Sequence, residues 1–172
     1  MELTVLSVVG SDRPGLTKAL AAAIVSAGGN WLESRLSQLG GLYVGSVLVE
    51  LEADGVDRLR AAVAAVDASG LEVRLVPAAH APAQTGEALH FGLVGQDRPG
   101  IVDQVTDILT RLGANIETFK TWVSAEPHSG LPLFNTDARL RLPPETSASE
   151  VQAALEAISA EIMVDVSVRV GE

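Results

Sequence analysis

Apolar positions recur along the chain with two different periods, and each change of period marks an element boundary. Leu3 to Val9 is a β-branched, apolar run of strand length that stops at Gly10, where Ser, Asp, Arg and Pro begin a loop. Leu16, Leu20, Ile24 and Ala27 then recur three or four residues apart, forming one stripe of a helix that Pro14 opens and Gly28-Gly29 stops. Trp31 to Leu39 and Leu42 to Leu51 flank Gly40-Gly41, a two-residue turn that accepts positive φ, and the second arm alternates at Val47, Val49 and Leu51. Val56, Leu59, Val63 and Val66 return to the helical period until Gly70, after which Leu71, Val73 and Leu75 alternate with Glu72, Arg74 and Val76. The predicted order over residues 1–76 is β-α-β-β-α-β.

Residues 77–87 hold proline, glycine and alanine without apolar periodicity and are predicted to be a linker. Residues 88–172 then repeat the order. Leu89 to Gly95 is a strand, Ile101, Val105, Ile108, Leu109 and Leu112 line a helix, and Asn115 to Ala125 and Leu133 to Leu142 are hairpin arms. Their connection, Glu126 to Pro132, is longer than the diglycine turn, and such loops on a rigid scaffold often touch a partner. Ser147-x-x-Glu150 is a capping-box pattern opening a helix with Val151, Leu155 and Ile158, and Ile162, Val164, Val166, Val168 and Val170 alternate through the last strand.

The local sequence repeats as well. The loop Gly10-Ser11-Asp12-Arg13-Pro14-Gly15 matches Gly95-Gln96-Asp97-Arg98-Pro99-Gly100, 85 positions on, and Gly28-Gly29-Asn30 matches Gly113-Ala114-Asn115. That period is too long for a solenoid unit and fits a duplicated small domain. The expected fold class is α+β, with two tandem ferredoxin-like βαββαβ domains whose antiparallel sheets carry both helices on one face. Such a sheet leaves its other face and an edge uncovered, which invites pairing with the other half or with a second chain as a homodimer through sheet edges.

Charge narrows the range of partners. Twenty-two acidic against twelve basic residues give a net charge of −10, a field that repels phosphate backbones and anionic lipid. Neither direct nucleic-acid binding nor membrane-surface binding is expected. No stretch approaches the roughly 20 consecutive apolar residues of a membrane helix. There is no basic region ahead of an apolar run at Met1-Glu2-Leu3-Thr4, and no cysteine, so the prediction is a cytoplasmic protein without disulfides or thiol chemistry. His80, His90 and His128 fall in the linker, a strand start and the hairpin loop, with no pair at metal-ligand spacing. Glu126 and His128 could form an acid/base pair, but an exposed loop offers no means of shifting their pKa values. No nucleophile elbow, P-loop or dinucleotide fingerprint occurs, and the chain is predicted to be a non-enzyme with no cofactor and no metal.

The Gly-x-Asp-Arg-Pro-Gly loop between first strand and first helix, with Gly-Gly-Asn or Gly-Ala-Asn at the helix end, resembles the ACT domain. Two copies at this length, with Gly130-Leu131-Pro132-Leu133-Phe134 in the second hairpin, resemble the glycine cleavage system transcriptional repressor family. The loop is similar in uridylyltransferases, formyltetrahydrofolate deformylases and plant ACT-repeat proteins. The resemblance implies a small amino-acid effector, with glycine suggested by the resemblance alone, and a protein partner such as a transcription regulator. It also implies sites at the seam between paired domains, near the loop and the second strand.

Elementary chemistry points to the same loop. Unpaired amides at a helix start carry the positive end of the helix dipole and suit a carboxylate. Arg13 and Arg98 could add charge, Asp12 and Asp97 could face an ammonium, and Gly15, Gly29 and Gly100 permit close backbone approach. Asn30 and Asn115 can both donate and accept. A purely structural role competes: either Asp as a helix cap, either Arg in an ion pair, either Asn as a left-handed turn residue. Trp31, in place of a small aliphatic residue, would narrow or fill the first site. Two other functions stay open, a ligand-free interaction module and a detached regulatory subunit of an amino-acid-metabolising enzyme.

Overall fold

The computed structural model describes residues 1–67, 70–79, 85–162 and 164–170. In chain order the elements are β1 (Glu2–Ser11), α1 (Leu16–Ser26), β2 (Asn30–Leu39), β3 (Leu42–Leu51), α2 (Gly55–Asp67) and β4 (Leu71–Ala78). The pattern recurs as β5 (Ala88–Gln96), α3 (Ile101–Arg111), β6 (Asn115–Ala125), β7 (Pro132–Arg141), α4 (Ala148–Ile162) and β8 (Val164–Val170). Two compact units result, Met1–Pro82 and Ala83–Glu172.

Each unit is a four-stranded sheet, ordered β2-β3-β1-β4 or β6-β7-β5-β8, with every neighbouring pair antiparallel. Two-residue periodicity puts Leu6, Val8, Val47, Val49 and Leu51 on one face, where Leu20 and Ile24 of α1 and Leu59 and Val63 of α2 close over them. The second unit builds its core the same way from Leu89, Phe91, Leu93, Ala138, Leu140 and Leu142 against Ile101, Val105, Leu109, Val151 and Leu155. Gly40 and Gly41 sit at φ 59° and 81°, the conformation a two-residue hairpin demands. Ser147 and Glu150 form the reciprocal cap at the start of α4: the Ser147 N–H donates to Glu150 Oε2 at 2.8 Å, and the Glu150 N–H donates to Ser147 Oγ at 3.3 Å.

Several boundaries differ from the sequence pattern. Gly10 lies inside β1, where a Cβ would fall 2.4 Å from the Gly70 carbonyl oxygen, so the glycine serves close strand approach. Pro77 and Ala78, expected in the linker, continue β4 opposite Thr4 and Leu3, and an edge strand tolerates the missing donor of Pro77. Gly86 and Glu87, also expected there, are tied to the second sheet, since their carbonyls accept from Arg141 Nη1 at 3.3 Å and from the Leu142 N–H at 2.9 Å. Residues 80–84 of that segment, with His80, lie outside the described residues. Ile162 ends α4 and does not open the last strand. Leu155, Ile158 and Ile162 fit a helical spacing as well as Ile162 and Val164 fit a strand, so period alone did not separate them.

Candidate functional site

In both units the loop leaving the first strand enters its helix through a glycine in the left-handed region, Gly15 at φ 96° and Gly100 at φ 87°. No side chain caps either helix start, so Asp12 and Asp97 are not caps. The space where a Cβ would stand on Gly15 or Gly100 is open, with no neighbouring atom within 4 Å. The leading amides of α1 and α3 therefore keep the unsatisfied donors of a helix start. Asp12 is held by its N–H, which donates to the Gly41 carbonyl at 3.3 Å, and by its carboxylate, which accepts from Gln38 Nε2 at 2.9 Å. Asp97 repeats the backbone half of this arrangement, its N–H donating to the Pro132 carbonyl at 3.0 Å. Arg98 donates through Nη2 to Gln104 Oε1, while its buried Nε has no hydrogen-bond partner among the described residues. Arg13 is exposed.

The asparagines lie elsewhere. Asn30 opens β2 opposite Glu50, which pairs in turn with Leu3, whereas Asp12 follows Ser11 at the other end of β1. Eight ladder steps at about 3.4 Å separate those two levels, roughly 27 Å. Asn115 and Asp97 are held apart in the same way, since Asn115 pairs with Arg141, which pairs with Ala88, and Asp97 follows Gln96. One sheet thus brings Asp12, Arg13 and Gly15 together, or Asp97, Arg98 and Gly100, and keeps Asn30 or Asn115 at its far end. Both asparagines start a strand; the left-handed turn residues are Gly28 and Gly113. Gly29 is a packing residue: a Cβ there would lie 2.6 Å from Leu51 Cδ2, 3.0 Å from Val49 Cγ1 and 3.1 Å from Ile24 Cγ2. Trp31 packs half-buried against the first core.

A further cluster was not anticipated. The register of β6 against β7 slips between Ile116 and Thr118, a bulge that β2 repeats between Trp31 and Glu33. Bulges re-aim side chains. Here Glu117 stands within 3.0 Å of Arg139 Nε through one oxygen and within 2.9 Å of Arg141 Nε through the other, with the Glu117 side chain only 17% exposed. The signal available in sequence was Arg139 and Arg141 two apart on one strand face, together with an acid on the strand before it. A bulge has no residue signature of its own, so the pairing could not be read. In the hairpin loop, Glu126 and His128 form no acid/base pair. The Glu126 carboxylate accepts from the Ser129 and His128 N–H groups, and the hydrogen bond of the Ser129 side chain, followed by these two backbone bonds, holds its pKa below the ordinary carboxylate value. Among the described residues no group of three His, Asp or Glu side chains is placed to hold a metal ion.

The ACT domain model matches residues 2–75, from the start of β1 into β4 of the first unit. The chain belongs to the ACT domain family. It is a tandem ACT protein, the second unit repeating both the fold and the loop of the first. An unknown protein from Galdieria sulphuraria is 30% identical, aligned over 99% of each chain with a TM-score of 0.82. A protein described as a glycine cleavage system transcriptional repressor shares the tandem ACT fold, with 16% identity, 99% of this chain and 98% of that one covered, and a TM-score of 0.72. None of the curated proteins matches this chain. The ACT fold is a regulatory fold, and no described helix is long and apolar enough to cross a membrane.

Proposed function

We propose that this tandem ACT protein is a non-enzymatic amino-acid sensor that binds glycine or a similar small amino acid and modulates a transcription regulator of glycine cleavage. The observation that carries the reading is the loop of the second unit: α3 begins at an uncapped Gly100, and beside it Arg98 keeps a guanidinium nitrogen without a hydrogen-bond partner. A ligand carboxylate would satisfy the helix-start amides, with the Arg98 guanidinium adding charge beside it. Since loop and asparagine lie at opposite ends of one sheet, the seam would take Asp97, Arg98 and Gly100 from one chain and Asn30 or Asn115 from the sheet edge of a second copy. The first unit would use Asp12, Arg13 and Gly15 in the same way. Glycine and its regulator are suggested by the likeness in fold to the protein described as a glycine cleavage system transcriptional repressor.

Sensing requires that the ligand favour one conformational state. Thermal unfolding with each common amino acid tests the proposal, because ligand at about 100 times its dissociation constant adds roughly 2.7 kcal/mol. A selective rise in midpoint, abolished by Arg98→Ala or Asn115→Ala, is expected. No rise with any amino acid would refute the sensor. The second reading, an interaction module, would then gain weight from β2, where eight of ten residues are exposed along an unpaired edge.

A further inference from the structure

The duplication allows the uncovered face of one sheet to be compared, position by position, with that of the other. Across the first sheet, Leu48, Val5 and Val76 stand side by side on β3, β1 and β4. The corresponding row of the second sheet is Arg139, His90 and Arg169 on β7, β5 and β8. An apolar row in one copy is a basic row in the other, in a chain whose net charge is −10. Like charges directly opposite one another weaken a sheet, so such a row stands at a cost unless something neutralises it. Glu117 serves Arg139. Among the described residues no carboxylate pairs with Arg169.

Two residues further along the strands, on the same face, the row is Asp137, Gly92 and Ser167. A Cβ on Gly92 would lie 2.7 Å from Ser167 Oγ, so the glycine leaves a floor that any side chain would fill, as Ser7 does at the equivalent place in the first unit. A groove of about 640 Å³ lies over this floor, lined by His90, Asp137, Ser167 and Arg169 among others. That volume is in the range of small-molecule sites.

We propose that this groove binds a small organic acid, a carboxylate carrying an adjacent hydroxyl or ammonium. The carboxylate is met by the Arg169 guanidinium and the His90 ring, as charge-assisted hydrogen bonds favour. Asp137, which only accepts when ionised, takes the neighbouring donor, and Ser167 Oγ can serve either group. This site is separate from the helix-start loop and does not depend on the sensor reading. The same face of the first unit lacks it, because Val5 and Val76 replace His90 and Arg169.

The test follows backbone amide shifts of the full chain titrated with glycolate and, separately, with glycine and inorganic phosphate. Saturable shifts centred on Gly92, Ser167 and Arg169 are expected with one or both organic acids. Arg169→Val and His90→Val, which install the residues the first unit already carries there, should each weaken that response by at least about tenfold. Gly92→Ser should abolish it by filling the floor, and a retained amide spectrum confirms that each variant is folded. The absence of saturable shifts at these amides, or an Arg169→Val response equal to the parent's, would overturn the assignment. So would a phosphate response equal to that of the organic acids.

Discussion

Gly29→Ala separates packing from binding at a residue whose sequence context suggested ligand contact. The added methyl would enter the first core at 2.6 Å from Leu51 Cδ2, 3.0 Å from Val49 Cγ1 and 3.1 Å from Ile24 Cγ2, all on side chains at most 1% exposed. Gly29 is not among the glycines at positive φ, so the cost is steric. Overpacking of this kind costs about 1–3 kcal/mol. Taking roughly 2 kcal/mol, and about 4–8 °C per kcal/mol for a domain of this size, the first unit's melting temperature should fall by roughly 8–16 °C. The second unit supplies the control, because it already carries Ala114 at this place. Its neighbours are Leu109, Leu140 and Leu142 where the first unit has Ile24, Val49 and Leu51. Leucine branches one carbon further from the backbone than Ile24 or Val49, which leaves room for a Cβ. Urea unfolding of Gly29→Ala, Val49→Leu and the double variant closes a cycle, and neighbours in contact should couple by about 0.5–3 kcal/mol. A Gly29→Ala protein as stable as the parent but weakened in amino-acid binding would refute the packing argument and return Gly29 to the ligand site.

Removing Glu117 by substitution with Ala should destabilise the second unit by roughly 1–3 kcal/mol, since hydrogen bonds to charged groups contribute on that scale. Urea midpoints would show it, and a change below a few tenths would mean that Arg139 and Arg141 find water equally well. Ser147→Ala should cost about 1 kcal/mol by uncapping α4. The same substitution should make an acid-side stability slope shallower without removing it, because the backbone N–H at position 147, the larger of the two causes, remains. The Ser147 N–H and hydroxyl hold the Glu150 pKa below the ordinary carboxylate value, so its contribution is fully present above the unfolded pKa and is lost as pH falls through the folded one. Midpoints measured from pH 7 down through the carboxylate range, with the same slope in parent and variant, would contradict this.

The hydrophobic periods determined most of the architecture. Leu16, Leu20, Ile24 and Ala27 form a buried stripe, Val47, Val49 and Leu51 all face the core, and Gly40-Gly41 makes the turn its residue types require. These features depend on neighbours close in sequence, where backbone geometry and the two periods act directly. The duplicated loop was equally legible, because it comprises contiguous residues with a fixed conformational task.

What only the tertiary structure decided concerns residues far apart in the chain. The loop and the asparagine share a motif only fifteen to eighteen residues long, yet one sheet holds them about 27 Å apart, because α1 returns the chain to the start of β1 before β2 begins. Whether Gly29 serves a ligand or a core depended on Val49 and Leu51, and the partners of Glu117 depended on a bulge. The basic row of Arg139, His90 and Arg169 exists only through strand register. Register is set by the packing of a whole sheet against its helices, and no local pattern encodes it.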